Sequence, residues 1–148
     1  MAAEAAEPAP DDPRARAERF NEFFGPLAPG LLGVVFDHAA DDEVVGHIDV
    51  TGSLIAGTGF LFAPAVIALA DTICAAGTGA NTPDDASFTT VELKTNFLGS
   101  AREGERVVGR ATPVHLGRTT HVWDAEVTNE TTGRTIALFR CTQMVLQR

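Results

Sequence analysis

One carboxylate stands alone in the most apolar stretch of the chain. In residues 64–77, PAVIALADTICAAG, every residue except Asp71 is apolar, small or threonine. A carboxylate without a partner in such surroundings costs several kcal/mol or takes up a proton. Two interpretations follow. Asp71 is either a general base or nucleophile in an apolar cleft, or a helix residue that bonds to nearby backbone or faces an interface.

The stretch around Asp71 predicts a buried helix over residues 64–77. A helix that is apolar on every side has no solvent face and must be surrounded by other elements. Pro64 suits the first helical turn, and Gly77 suits the position just past the last one. Fourteen residues are too few to cross a bilayer, which takes about 20. We therefore expect a core helix.

The other reactive residue types form no site that spacing alone identifies. The histidines fit neither a metal site nor a Ser-His-Asp triad, and lie at His38, His47, His115 and His121. We expect His47 and His121 to be solvent-exposed strand residues. Cys74 and Cys141 lie in apolar surroundings, which is typical of buried thiols in a reducing compartment. No metal site is predicted.

A glycine-rich segment, residues 51–62 (TGSLIAGTGFLF), leads directly into the helix. It is either a flexible connector or a loop whose backbone N–H groups, with the start of the helix, face a substrate oxygen. It lacks both a Gly-Lys-Ser/Thr motif and a GxGxxG motif, so it is not a nucleotide-binding loop.

Composition limits the partners and the location of the protein. The 148 residues suit a single domain, and a net charge of −9 argues against a nucleic-acid partner held by its phosphates. The N-terminus lacks the basic and apolar regions of a signal peptide, which predicts a cytoplasmic protein without membrane contact. Residues 1–13, MAAEAAEPAPDDP, predict a disordered acidic tail.

The remaining segments predict a short helix over residues 14–24 and six strands. The strands are expected at residues 31–36, 44–50, 88–97, 106–114, 119–128 and 135–146. One long helix against one antiparallel sheet is an α+β layer architecture. An open sheet of this kind leaves an edge uncovered, so we expect a dimer that continues the sheet.

Four stretches, in this order, resemble one family. They are ALADT at Ala68–Thr72, SAREGE at Ser100–Glu105, VHLGRTTHVWDAEV at Val114–Val127 and ALFRCTQMVL at Ala137–Leu146. The chain resembles hotdog-fold acyl-CoA thioesterases of the phenylacetate-pathway (PaaI-like) and Arthrobacter-type 4-hydroxybenzoyl-CoA group over about Leu31 to Leu146. The resemblance implies one hotdog domain over residues 14–148, with an antiparallel sheet wrapped around a long central helix.

The resemblance also implies a mechanism. Asp71 falls on the family's catalytic carboxylate, which acts as a general base or as a nucleophile. The backbone N–H of Ala63, at the start of the helix, becomes the oxyanion donor. Thr72 either holds the water or carbonyl or bonds to its own backbone. Hotdog sites form between subunits, so a homo-oligomer is implied, a dimer or a tetramer, in which Asp71 faces the start of the partner's helix.

The implied substrate is an acyl-CoA with an aryl or medium-chain acyl group, and no cofactor beyond the CoA of the substrate. Its phosphates call for cations, for which Arg118 and Arg102 are the main candidates and Lys94 or Arg140 further ones. The polar side chains beside the Gly117 turn are Thr119 and Thr120. Phe60 and Phe62, ahead of the helix, either wall an acyl pocket or fill the core.

One departure from the family leaves an alternative function open. The family commonly has His-Gly-Gly before the helix and an Asn or Gln about six residues earlier, where this chain has Phe62-Ala63-Pro64 and Ala56. Thr58 and Ser53 are nearby polar substitutes. Without the usual side chains, the protein could instead be a non-catalytic hotdog protein that binds an acyl-CoA or a partner. A hotdog hydratase would pair Asp with a nearby His, and residues 51–114 contain no His.

Overall fold

The structure, a computed structural model, describes residues 12–147. Its helices are α1 (Pro13–Phe24), α2 (Ala28–Leu31) and α3 (Ala63–Ala80), and a 3₁₀ turn covers Gly52–Leu54. Its strands are β1 (Val35–Ala39), β2 (Val44–Asp49), β3 (Ser87–Phe97), β4 (Arg106–Leu116), β5 (Thr120–Asn129) and β6 (Arg134–Leu146). Residues 1–11 of the predicted tail lie outside the described part. The last two residues of that predicted tail are part of the helix start instead, since Asp12 is the N-cap of α1 and Pro13 is its first residue.

The strands form one antiparallel sheet in the order β1-β2-β4-β5-β6-β3, with α3 packed on one face. The α+β layer prediction is therefore confirmed. Because side chains alternate across a strand, Trp123, Ala125 and Val127 of β5 all point toward α3 and are buried. They pack with apolar residues of α3 such as Leu69 and Ile73 in a single core.

The core helix is longer than its sequence pattern predicts. It spans 18 residues, so Gly77 lies inside the helix rather than past its end. A Cβ on Gly77 would come within 2.4 Å of the Trp123 ring. The glycine thus serves close packing against the sheet and does not end the helix. By length and composition α3 could also cross a membrane, but more than half of it is buried in the domain, as in the core helix of a soluble protein.

Two predicted strand boundaries are wrong. The strand predicted over residues 31–36 begins at Val35, because Ala28–Leu31 forms a helical turn and Gly33 takes a positive φ of 84° that redirects the chain. The break predicted at residues 115–118 falls later, because β4 continues to Leu116 through a bulge between Pro113 and His115. Pro113, which lacks an N–H, lies at this irregularity.

Two histidine predictions are also wrong, because His47 and His121 are both buried. His47 Nδ1 lies 2.7 Å from Asp37 Oδ2. His121 lies in the buried row of β5 that faces α3, and burial lowers its pKa. The prediction of buried cysteines is confirmed, since Cys74 and Cys141 are free buried thiols. Trp123 is also a core residue.

Candidate active site

Asp71 lies halfway along α3, on the side that meets β3. It is half-buried, and its Oδ1 accepts a hydrogen bond from Thr90 Oγ1 of β3 at 2.9 Å. The amide of Gln143 in β6 also approaches the carboxyl group closely enough to act on its pKa. The sheet therefore holds the carboxylate in place.

A buried glutamine holds the threonine in turn. Gln143 of β6 is fully buried, and its Nε2 donates to Thr90 Oγ1 at 2.8 Å. The two residues are direct partners in the antiparallel ladder of β3 and β6. The threonine hydroxyl has a single proton, which we assign to Asp71 Oδ1 at 2.9 Å and not to Gln143 Oε1 at 3.1 Å, because a charged acceptor forms the stronger hydrogen bond. The three side chains form a chain of hydrogen bonds that fixes the carboxylate against the sheet.

Sequence reasoning missed both Thr90 and Gln143. A weak signal was present, since Gln143 alternates with Cys141 and Val145 along β6 and therefore had to face the core. An amide in a buried row needs hydrogen-bond partners, which marks a possible polar site. The partner could not be identified, because the bulge between Thr90 and Glu92 shifts the register of β3.

Burial raises the pKa of the Asp71 carboxyl above its ordinary value, while the hydrogen bonds from Thr90 and Gln143 oppose that rise. Two further titratable groups lie close to it, the buried thiols of Cys74 on α3 and Cys141 on β6. A carboxylate with a raised pKa is a stronger base than an exposed one, which suits proton abstraction from water.

The raised pKa makes Asp71 a cost to folding at neutral pH. The folded protein binds this proton more tightly than the unfolded chain does, so the stability contributed by the group is present at low pH and lost as pH rises through the folded-state pKa. We expect Asp71→Asn to unfold at a higher denaturant concentration than the natural protein at pH 7, and the difference to shrink below that pKa. Urea unfolding at several pH values checks this, and a variant less stable at pH 7 would contradict it.

The start of α3 offers one free backbone donor. Ala63 N–H has no backbone acceptor among the described residues, Pro64 has no N–H, and Ala65 N–H bonds to Phe62 O at 2.9 Å. The free N–H groups at a helix start carry the positive end of the helix dipole. Ala63 is therefore placed to donate to a developing oxyanion.

An apolar cleft of about 300 Å³ adjoins Ala63. No charged side chain lines it, and its walls are Leu61, Ala63, Val66, Phe97, Gly99, Ser100, Ala101 and Ile136. Neither of the two predicted wall residues contributes. Leu61 pairs with Ile55 in an isolated β-bridge and points inward, so its neighbours Phe60 and Phe62 point away.

The carboxylate and the free N–H do not meet within one chain. Asp71 and Ala63 are eight residues apart on the same helix, a rise of about 12 Å. A thioester carbonyl cannot reach both. Thr72 is buried and faces away from Asp71, since successive helix residues point about 100° apart. Thr58 is exposed in the loop between Gly57 and Gly59.

The predicted cations are also spread apart. Arg102 precedes β4, whereas Arg118, with Thr119 and Thr120, follows it, so about 33 Å of strand separates the two groups. Arg140 lies on the sheet face away from α3, in a bidentate ion pair with Asp124. Lys94 lines a groove on that same face. In residues 12–147, no group of three or more His, Cys, Asp or Glu is arranged to hold a metal.

Comparison with known proteins identifies the family. The model of the thioesterase superfamily matches residues 58–136. A 1,4-dihydroxy-2-naphthoyl-CoA hydrolase of Escherichia coli is 32% identical over 117 residues, covering 79% of this chain and 85% of that protein.

Solved structures agree with this match. A mutant of thioesterase PA1618 from Pseudomonas aeruginosa is 27% identical with a TM-score of 0.82, covering 88% of this chain and 93% of that one. A hypothetical thioesterase with coenzyme A from Streptococcus pneumoniae has a TM-score of 0.69 at 24% identity, covering 78% and 88%. The chain therefore belongs to the thioesterase superfamily, has the hotdog fold and is a thioester hydrolase.

Proposed function

We propose that the protein hydrolyses acyl-CoA thioesters with an aryl or medium-chain acyl group to the free acid and CoA. The half-buried Asp71, held by Thr90 and Gln143 in an otherwise apolar helix, carries the proposal. A structural helix could avoid the cost of this carboxylate by using Asn or Ala. The E. coli relative is named a 1,4-dihydroxy-2-naphthoyl-CoA hydrolase, and the S. pneumoniae structure contains coenzyme A. Both names support the choice of CoA esters.

In this mechanism Asp71 takes a proton from water while the water oxygen adds to the thioester carbon. Alternatively, the carboxylate itself attacks and forms an anhydride that water then cleaves. In both cases negative charge develops on the carbonyl oxygen, and the Ala63 N–H at the start of a helix stabilises it. The carbon–sulfur bond then breaks as the tetrahedral intermediate collapses. In the general-base route the leaving CoA thiolate takes up the proton that Asp71 removed from water, and in the anhydride route it leaves before water enters and takes up a proton from solvent.

Two copies of the chain would complete the site. The outer edge of β3 has no partner strand among the described residues, and four apolar side chains of this edge are exposed: Val91, Leu93, Phe97 and Leu98. Pairing two β3 edges antiparallel places the Phe97 end of one copy beside the Thr90 end of the other. Asp71 of one chain then faces the start of the partner's α3, and the sheet continues across the dimer.

We expect the native chain to sediment as a dimer or a larger assembly at micromolar concentration. Replacing both Val91 and Leu93 with lysine on the β3 edge should shift the protein toward the monomer and abolish turnover, because like charges would face each other across the interface. Leu31→Lys, at an exposed leucine outside β3, is the control. A native protein that sediments as a monomer yet turns over would contradict the two-copy site.

The apolar cleft supports an apolar acyl group. Its volume of about 300 Å³ and its uncharged walls suit an aromatic ring or a medium-length chain, and offer nothing to a charged acyl group. The free buried thiols of Cys74 and Cys141 suit a reducing compartment, and we propose a cytoplasmic location. No cofactor is proposed beyond the CoA of the substrate.

Thiol release from a panel of CoA esters tests the proposal. We expect phenylacetyl, hydroxybenzoyl, dihydroxynaphthoyl or medium-chain acyl-CoA to be cleaved faster than acetyl-CoA or palmitoyl-CoA. Cleavage confined to acetyl-CoA or to palmitoyl-CoA would contradict the acyl class. Failure to cleave any ester would contradict hydrolysis.

A non-catalytic acyl-CoA-binding protein is the second candidate. The observation that favours it is the start of α3, where Phe62 supplies no side-chain cap and Pro64 removes one N–H donor. In the same panel, esters that bind but are not cleaved would select this alternative.

A further inference from the structure

The outer strand β3 changes its register beside Asp71. Thr90 lies opposite Gln143 of β6, and after a bulge Glu92 lies opposite Thr142. Because side chains alternate across a strand and Gln143 is buried on the α3 side, Thr90 faces α3 as well. Glu92 faces the other side of the sheet together with Thr142, whose Oγ1 donates to Glu92 Oε2 at 3.4 Å.

This bulge decides which side chain of β3 reaches the carboxylate. In a regular strand, Glu92 would face the same side as Thr90. A second carboxylate beside Asp71 would then oppose its ionisation. The bulge instead leaves a hydroxyl on the α3 side and turns the glutamate away. Bulges that re-aim a side chain in this manner are typical of strands next to active sites.

The buried amide of Gln143 is directed at the same carboxylate. Gln143 lies in an otherwise apolar row of β6, between Cys141 and Val145, where an amide is unfavourable unless its hydrogen bonds are made. Its Nε2 donates to Thr90 Oγ1 at 2.8 Å and lies 3.5 Å from Cys141 Sγ. The amide also acts on Asp71 itself. The sheet therefore presents two polar side chains to α3 at this point, and both serve one carboxylate.

We propose that Thr90 and Gln143 are positioning residues for hydrolysis, which together hold the Asp71 carboxylate in the orientation that accepts a proton from water or attacks the thioester. The inference rests on the proposed function, which makes Asp71 the reacting group. Neither residue has to touch the substrate, because each acts through Asp71. A misplaced reacting group slows the chemical step even where binding is intact, so loss of the pair should lower kcat and leave KM nearly unchanged.

The pair should also set the pH at which Asp71 becomes active. Hydrogen bonds from Thr90 and Gln143 favour the ionised carboxylate, against the burial that raises its pKa. Two ionisable groups lie close to it, Cys74 on α3 and Cys141 on β6, whereas β3 turns its glutamate and its lysine to the other sheet face. Only the ionised carboxylate acts as a base or nucleophile. Loss of either donor should therefore raise the pH below which kcat/KM falls.

Thr90→Val and Thr90→Ser are a matched pair of variants, because valine keeps the shape of threonine without its hydroxyl and serine keeps the hydroxyl. With the CoA ester that the natural protein cleaves fastest, Thr90→Val should lower kcat about 10-fold, the loss of one hydrogen bond to a charged group. It should also move the pH profile of kcat/KM to higher pH. Thr90→Ser should recover both properties relative to Thr90→Val. Thr142→Val, the same change on the other sheet face, is the control.

Gln143→Met removes the amide at similar volume, and should lower kcat and move the pH profile in the same direction. Because both side chains act on one carboxylate, the double variant of Thr90→Val and Gln143→Met should lose less than the product of the two single losses. Single losses that multiply in full would overturn the proposal. So would a pH profile that neither single variant moves, or equal losses in Thr90→Val and Thr90→Ser.

Carbon NMR titration of the Asp71 carboxyl in the labelled full chain separates this inference from the proposed function. The signal is assigned by its absence in Asp71→Asn, and the measurement needs no turnover. A protein that cleaves no ester, but in which Asp71 titrates at higher pH in Thr90→Val, keeps the hold on the carboxylate and loses the hydrolase. A hydrolase in which Asp71 titrates at the same pH in Thr90→Val and in the natural protein keeps its function and overturns the positioning role.

Discussion

Asp71→Asn should lower the turnover of the best CoA ester about 10³-fold, within the range for loss of a general base. Asparagine keeps the size of the side chain and can still accept the hydrogen bond from Thr90, but it can neither take a proton from water nor attack the thioester. Because the contacts to the acyl and CoA groups are elsewhere, affinity for the intact ester should change little. Thiol release and titration with the uncleaved ester measure the two quantities separately.

Asp84→Asn is the matched control, because Asp84 is exposed in the loop after α3. Equal loss in both variants would indicate a general effect of charge, not of the site. Full activity in Asp71→Asn would remove the carboxylate from the mechanism altogether. In that case the charged side chain in α3 would need another explanation.

Trp123→Ala should destabilise the fold by about 3–5 kcal/mol, which is typical of deleting a buried tryptophan. Trp123 is fully buried, and its ring lies against Gly77 in the C-terminal part of α3. For a chain of this length the midpoint of thermal unfolding should fall by about 10 °C. Because an oligomer unfolds at a temperature that depends on concentration, the variants are compared at one protein concentration.

Gly77 gives a second test of the same contact. The effect of Gly77→Ala on the free energy of unfolding should have opposite signs in the natural protein and in Trp123→Ala. In the natural protein Gly77→Ala places a Cβ 2.4 Å from the Trp123 ring and should cost about 1–3 kcal/mol. In Trp123→Ala that clash is absent, and alanine should stabilise the helix by up to about 1 kcal/mol over glycine. A Gly77→Ala substitution that destabilises both backgrounds equally would contradict the contact.

The layers of this fold follow from local sequence patterns, but the residues at which its helices and strands begin and end depend on tertiary contacts. The apolar run around Asp71 and the alternation in β5 predict a buried helix and a sheet, since both are properties of a few neighbouring residues. Gly77 has the local character of a helix end. It lies inside α3 because Trp123, 46 positions later, needs the space. No pattern near Gly77 carries that information.

The residues of the candidate site also fall into those that local sequence predicts and those that only tertiary contacts reveal. Asp71 is visible in the sequence because a carboxylate conflicts with its neighbours. Thr90 is an ordinary strand residue, and Gln143 gives only the weak signal of an amide in a buried row. Their contact with Asp71 depends on the packing of three separate elements.

The half-buried carboxylate has a consequence for engineering this protein. Because Asp71 opposes folding at neutral pH, a library selected only for heat resistance would enrich substitutions at this position. The variants enriched by such a selection would be more stable than the natural protein but catalytically inactive. Any search for a hardier catalyst on this scaffold must therefore hold Asp71 constant, or score each variant by product formed.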